Sequence, residues 1–167
     1  MIDRAAPQSS LRPKLLAAAH ARLAAARNLE EIIAVVRSMV RALTEADGVT
    51  FVLNDNGYCH YVEEDAIRPL WKGRKFPMTS CISGWAMMNG QTAVIPDIFA
   101  DARIPHDVYR QTFVKSLVMT PVGLDVPVAA IGVYWREKPM IGNDEVALIE
   151  TIAAMVGDAF QRTRAAA

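Results

Sequence analysis

Cys81 is the side chain whose type and setting best suit chemistry. It stands in FPMTSCISGWAMMNGQTAVIPDI, residues 76–98, where Ser80 is a residue of the helix-capping type and Asn89-Gly90 of the helix-ending type. This reading predicts a helix from Cys81 to Met88. A thiol in its first turn has its pKa lowered by the helix dipole, while burial between Phe76 and Trp85 raises it. A nucleophile needs a base within hydrogen-bond reach, and none lies nearby in sequence. A small apolar wall residue is therefore the leading expectation for Cys81, with redox or adduct chemistry as the rival. The only other cysteine, Cys59, falls on a predicted strand, and the two elements argue against a meeting of the thiols.

The remaining candidate ligands are sparse. His20, His60 and His106 have no metal-ligand spacing, and two cysteines 22 positions apart make neither a disulfide framework nor a metal knuckle. Lysine plus arginine and aspartate plus glutamate number 18 each, so no long-range field draws nucleic acid or an anionic membrane. The N-terminus has no signal-peptide core, and no run approaches the roughly 18 apolar residues of a membrane span. A soluble, cytoplasmic protein is expected. With 167 residues, 52% of them hydrophobic, the chain suits one compact domain.

The elements that must position Cys81 follow from pattern. Pro7 to Pro13 reads as a polar lead-in, and the alanine-, leucine- and arginine-rich run from Leu15 to Arg27 as a helix, better suited to an arm on a partner than to core. A second helix carries Leu29, Ile32, Ile33, Val36, Met39, Val40 and Leu43 on one stripe. Two strands flank the turn residues 54–57, Asn-Asp-Asn-Gly. Residues 65–79 look irregular, with a basic cluster at Lys72, Arg74 and Lys75. Thr92 to Ile95 predicts a short strand, and Asp97 to Lys115 a loop with short helical turns. Ser116 to Val122 and Val126 to Trp135 read as an antiparallel pair joined across residues 123–125. Asn143 predicts the cap of a last helix through Leu148, Ile149, Ile152, Met155, Val156, Ala159 and Phe160, whose apolar band is wide enough to meet both the sheet and a partner. The order implies an α+β fold: a central antiparallel sheet with the N- and C-terminal helices on one face and the long insert across the other, enclosing a cavity.

The segments SGWAMMNGQTAVIPDI, DARIP, SLVMTPV, VAAIGVYWREK and NDEVALIETIAAMVGDAF, in this order, resemble a GAF domain (the small-molecule sensing module of signalling proteins). KSLVMTPVG with AIGVYW looks most like GAF domains of bacterial two-component sensor histidine kinases, phytochrome-related ones included. The organisation expected is a lead-in and helical arm over 1–28, a single GAF domain over 29–164 and a tail over 165–167. The resemblance implies a ligand pocket opposite the terminal helices, a homodimer through those helices, and a kinase-type output domain as partner. No phosphoacceptor region, nucleotide-binding glycine motif or cyclase signature follows Arg164, so a fragment or a stand-alone sensor is expected.

The pocket expected from these readings is walled by Phe76, Cys81, Trp85, Tyr109, Phe113 and Met119, with Asp97, Lys115 and Ser116 as polar tips. Such apolar walls with few polar anchors suit a small organic ligand of unknown identity. Trp85, Phe113 and Met119 serve equally well as ordinary core. Covalent bilin is disfavoured, because Cys59-His60 has the dipeptide of bilin-binding relatives but on a strand instead of their attachment helix. Haem on His106 is disfavoured because a lone loop histidine more often caps or is solvated. A GAF subgroup reduces free methionine sulfoxide and carries a cysteine where Cys81 falls. Its essential partner is absent from IPHDVYRQTFVKS, so the chain is read as non-catalytic. A degenerate module for dimerisation or docking is the second reading.

Overall fold

Leucine, alanine and arginine favour helix strongly enough to carry it well beyond the run predicted from sequence. In the computed structural model, which describes residues 6–123 and 125–166 (the backbone only for residues 6–10), helix α1 spans Ala6–Ala25. The expected lead-in at Pro7 to Pro13 is thus helical, and Pro13 lies inside α1 at the cost of one backbone hydrogen bond. Residues 1–5, Ala167 and Leu124 of the expected turn lie outside the described residues. Helix α2, Leu29–Thr44, starts where the Asn28 carboxamide accepts from the Glu31 amide at 2.9 Å. It ends with Glu45 in the left-handed conformation.

Strands β1 (Gly48–Asp55) and β2 (Tyr58–Ala66) form the predicted hairpin, with Asn56 and Gly57 at positive φ in a tight turn. The ladder is irregular beside Val62, so Tyr61 faces Val52 while Glu63 faces Phe51. The irregular segment contains one further strand, β3 (Lys75–Pro77), paired with β2. A single 3₁₀ turn, Met78–Ser80, then leads into α3 (Ile82–Asn89), closed by Gly90 at positive φ as predicted. Strand β4 (Ala93–Ile95), a 3₁₀ turn at Ile98–Ala100 and the short helix α4 (His106–Tyr109) complete the insert. Strands β5 (Ser116–Val122) and β6 (Ala129–Trp135) pair antiparallel, and α5 spans Asn143–Ala165. Strand β6 begins three residues later than predicted, leaving Val126 exposed. Gly142, not Asn143, occupies the cap position of α5, and no side chain caps that end.

The sheet order is β3-β2-β1-β6-β5-β4, with every neighbour antiparallel. Alternation along each strand divides the interior into two cores. Val49, Phe51, Val118, Val122, Ile131, Val133 and Trp135 meet α1, α2 and α5 on one face. Val52, Cys59, Tyr61, Leu117, Met119 and Tyr134 meet the insert on the other.

Helix α1 is not a free arm. It buries Ala19 and Leu23 in the first core, and the Arg162 guanidinium of α5 donates to the Leu23 and Ala26 carbonyls at 2.7 and 2.8 Å. Alanine's small size is what lets α1 lie close against α2. The wide apolar band of α5 is shared between the sheet and these two helices of the same chain.

Candidate functional site

The centre of the insert-side core is an aromatic cluster built around Trp71, a residue that sequence pattern assigned to a loop. Residues 70–72 approach the end of β2, and the Glu64 carboxylate accepts from the amides of Leu70, Trp71 and Lys72 at 2.7, 2.9 and 2.6 Å. The Gly73 amide donates to the Tyr61 carbonyl and the Tyr61 amide to the Arg74 carbonyl, tying the same loop to β2. These bonds drive the Trp71 indole inward, where it is 3% exposed. Its ring centroid lies 4.7 Å from Tyr109 and 5.6 Å from both Tyr61 and Tyr134. Tyr61 also meets Phe76 edge-on at 5.6 Å. Each such pair contributes about 0.5–1.5 kcal/mol beyond the area it buries. Burial pushes the phenols of Tyr61, Tyr109 and Tyr134 above their ordinary pKa, so all three stay neutral at physiological pH.

This cluster fills the expected cavity. The empty space left among Tyr61, Trp71, Phe76, Cys81, Pro105, Val108 and Tyr109 is about 10 Å³. That is roughly the room of one water molecule. A larger groove of about 890 Å³ lies elsewhere, between α5 and the β5–β6 turn, lined by Gly90, Pro121, Asp125, Glu150, Gly157 and Arg164 among others. It is open to solvent and touches none of the expected pocket residues.

The two cysteines meet, contrary to the sequence expectation. The Sγ atoms of Cys59 on β2 and Cys81 are 3.0 Å apart, and both thiols are free. Strand alternation places Cys59 on the same face as Tyr61, directly under the start of α3. Cys81 itself, not Ser80, is the cap residue of α3, with extended backbone at φ −140° and ψ 156°. Ser80 ends the preceding 3₁₀ turn, and its hydroxyl donates back to the Pro77 carbonyl. A Cβ on Gly84 would collide with the Met78 carbonyl, so that turn and α3 pack together only through this glycine. The Ser83 hydroxyl donates to Cys81 Sγ at 3.4 Å and shares a 3.1 Å hydrogen bond with the Tyr61 hydroxyl. The 3.0 Å contact with the Cys59 sulfur lowers the Cys81 pKa to about 7, aided by Ser83 and the Gly84 amide and opposed by burial. The same pairing, with burial, pushes the Cys59 thiol up.

Of the nine residues expected at the site, Cys81, Tyr109 and Met119 belong to this core. Phe76, Trp85 and Phe113 sit at its margin, half-buried, with the Arg103 guanidinium 4.3 Å above the Trp85 ring. The three expected polar tips are elsewhere. Asp97 is exposed and caps a 3₁₀ turn by accepting from the Phe99 amide. Lys115 is exposed, with its ammonium 5.3 Å from the Phe99 ring centroid. Ser116 pairs with Trp135 across the β5–β6 ladder and so stands on the helix face. Its buried hydroxyl has no hydrogen-bond partner among the described residues. His106 Nε2 lies 3.0 Å from the Ile98 and Asp101 carbonyls and staples the insert. The basic cluster is paired: Lys72 with Glu63 at 2.6 Å, Lys75 with Asp55 at 2.7 Å, and Arg74 over the Phe76 ring.

Trp71, Glu64, Tyr61, Tyr134 and Ser83 escaped the sequence reading, and Cys59 was placed apart from Cys81. Alternation in β2 marks Cys59 and Tyr61 as inward-facing and is the signal that finds them. Nothing local marks Trp71, whose place depends on a carboxylate several residues away. Among the described residues, no three His, Cys, Asp or Glu side chains converge as a metal site.

Comparison with known proteins agrees with this architecture. No curated protein matches the sequence. Among solved structures, free methionine-R-sulfoxide reductase from Neisseria meningitidis, solved with its substrate, superposes with a TM-score of 0.79 at 16% identity, over 100% of this chain and 98% of the other. The GAF domain of an Acinetobacter phosphoenolpyruvate-protein phosphotransferase gives 0.78 at 11% identity, over 93% and 96%. The chromophore-binding domain of the bacteriophytochrome RpBphP3 from R. palustris gives 0.78 at 14% identity, over 96% of this chain and 64% of that one. At these identities the likeness is one of fold. The sequence model described as GAF domain matches residues 26–161, from the end of the first helix to the last turns of α5. With four fifths of its length inside that match and the sheet order and two-sided core to go with it, this chain belongs to the GAF domain family.

Proposed function

We propose that this is a sensory, non-catalytic GAF domain whose insert-side pocket is held shut by Trp71 and opens for a small organic ligand. The observation that carries the reading is the mode of closure. Trp71 is held inward by hydrogen bonds from its own loop to the Glu64 carboxylate of β2, with two backbone bonds between Tyr61 and residues 73 and 74 closing the loop beside it. Withdrawal of that loop vacates a space the size of an indole, walled by Tyr61, Tyr109, Tyr134 and Phe76. A ligand that binds the open arrangement better than the closed one shifts the population toward it. A differential affinity of about 1–3 kcal/mol is enough for a useful switch.

The helix layer is the route to a partner. Leu15, Leu16, Ile33 and Leu148 are only partly buried along it, which supports pairing of two copies through the terminal helices. A two-component kinase output is supported by the motif resemblance. Among the described residues no helix is long and apolar enough to cross a membrane, which accords with a cytoplasmic setting.

The test is a thermal-shift panel of small aromatic and heterocyclic metabolites, with native mass spectrometry of the protein as purified. The reading expects a retained or added compound that raises the melting temperature of the wild type. A panel that leaves it unmoved, with no retained mass, supports the second reading. That reading, a module for docking or dimerisation alone, is favoured by the near-absence of empty volume in the insert.

A further inference from the structure

The thiol pair is a built arrangement that ligand sensing does not use. Its two sulfurs lie 3.0 Å apart, about 1 Å beyond a disulfide bond. The partners are inequivalent. Cys59 is fully buried on β2, whereas Cys81 is 8% exposed and lines the small remaining cavity with Pro105 and Val108. Cys81 also occupies the cap of α3, where the helix start, the Ser83 hydroxyl and the Cys59 thiol all stabilise negative charge on sulfur. One sulfur is thus disposed to attack and the other to follow.

We propose that Cys59 and Cys81 form a peroxide-reactive dithiol, in which Cys81 is oxidised first and Cys59 resolves it as a disulfide within the domain. The cavity sets the reagent class. Cys81 is 8% exposed beside a gap of only about 10 Å³, so a reagent of two heavy atoms arriving from solvent, as hydrogen peroxide does, meets the sulfur where bulky disulfides are excluded.

In the first step the Cys81 thiolate attacks one peroxide oxygen. A sulfur–oxygen bond forms, the oxygen–oxygen bond breaks, and hydroxide leaves to take up a proton as water. In the second step Cys59 sulfur attacks the Cys81 sulfenic sulfur. The sulfur–sulfur bond forms, the hydroxyl departs, and the Cys59 proton converts it to a second water. Sulfur is oxidised by two electrons in total and peroxide oxygen is reduced by two. The bond would join β2 to the start of α3 beside Tyr61 and Trp71.

The proposal does not depend on the ligand-sensing reading. Reduced wild-type protein treated with equimolar hydrogen peroxide is expected to lose the mass of two hydrogens and to yield a proteolytic fragment linking Cys59 to Cys81. Cys59→Ser is expected to stop at a sulfenic acid on Cys81, read as the gain of one oxygen in the intact mass and trapped by dimedone when the oxidised protein is unfolded, and Cys81→Ser to leave Cys59 reduced. Glutathione disulfide is expected to leave the folded protein unmodified and to react once it is unfolded. Three results would overturn the proposal: oxidation of Cys81 to sulfinic acid in the wild type with no linkage, oxidation of Cys59 in Cys81→Ser at the wild-type rate, or reaction with peroxide no faster than that of free cysteine.

Discussion

Cys81 and Glu64 carry the account at the scale of single residues. A Cys81 pKa near 7, against about 9 for an ordinary thiol, means that the thiolate fraction climbs as pH rises through 7. The rate of Cys81 oxidation by hydrogen peroxide should follow that climb and level off above it, and a rate still rising toward pH 9 would show an ordinary thiol. The linkage has a definite sign. Folded Cys81 releases its proton before the unfolded chain does, so this thiol adds stability above the unfolded value and loses it as pH falls through 7. Cys59, raised in the fold, works in the opposite direction at higher pH. Glu64→Gln keeps the shape but replaces a carboxylate that accepts three amides with a neutral group, one side of which is a donor. A loss of about 1–3 kcal/mol is expected by urea denaturation, with the wild-type Trp71 fluorescence shifted toward that of exposed indole.

At the scale of elements, α3 and the segment before it show what sequence could and could not reveal. Asn89-Gly90 and Asn56-Gly57 were legible because a left-handed residue is a local requirement with a short list of residue types. The cap of α3 was misread by one residue, because Ser80 has the right chemistry but is spent on closing the 3₁₀ turn before it. Gly84 settles the packing, since the Met78 carbonyl occupies the space a side chain would need. Gly84→Ala should displace α3 and cost about 1–3 kcal/mol in a melting experiment, and an unchanged midpoint would show that the turn yields freely. Residues 65–79 carry proline, glycine and charge, and their one fully buried large side chain among the described residues, Trp71, is placed by contacts distant in sequence. No local pattern encodes those.

Across the whole molecule, the two-sided sheet was readable from alternation in β1 and from the continuous apolar runs of β5 and β6, and the stripe of α2 gave its buried face. The role of α1 was not. An alanine-rich helix shows little apolar contrast, and its place on the core is fixed by close approach to α2 and by Arg162 reaching across from α5. Arg162→Ala should loosen α1 while leaving the sheet intact. Because the guanidinium is exposed, the cost is about 1 kcal/mol, seen as faster amide exchange in α1 alone. The proposed homodimer uses this same helix layer, and light scattering that finds a monomer at tens of micromolar would remove it.

Hydrogen exchange at the amides of Leu70, Trp71 and Lys72 tests the closed-pocket account most directly, because these are the three groups that Glu64 holds. A pocket that opens in the folded state predicts that they exchange through a local event, with protection well below that of β1 and β6. Exchange of all three only with global unfolding, at the protection of the central strands, would contradict it and leave Trp71 as permanent core.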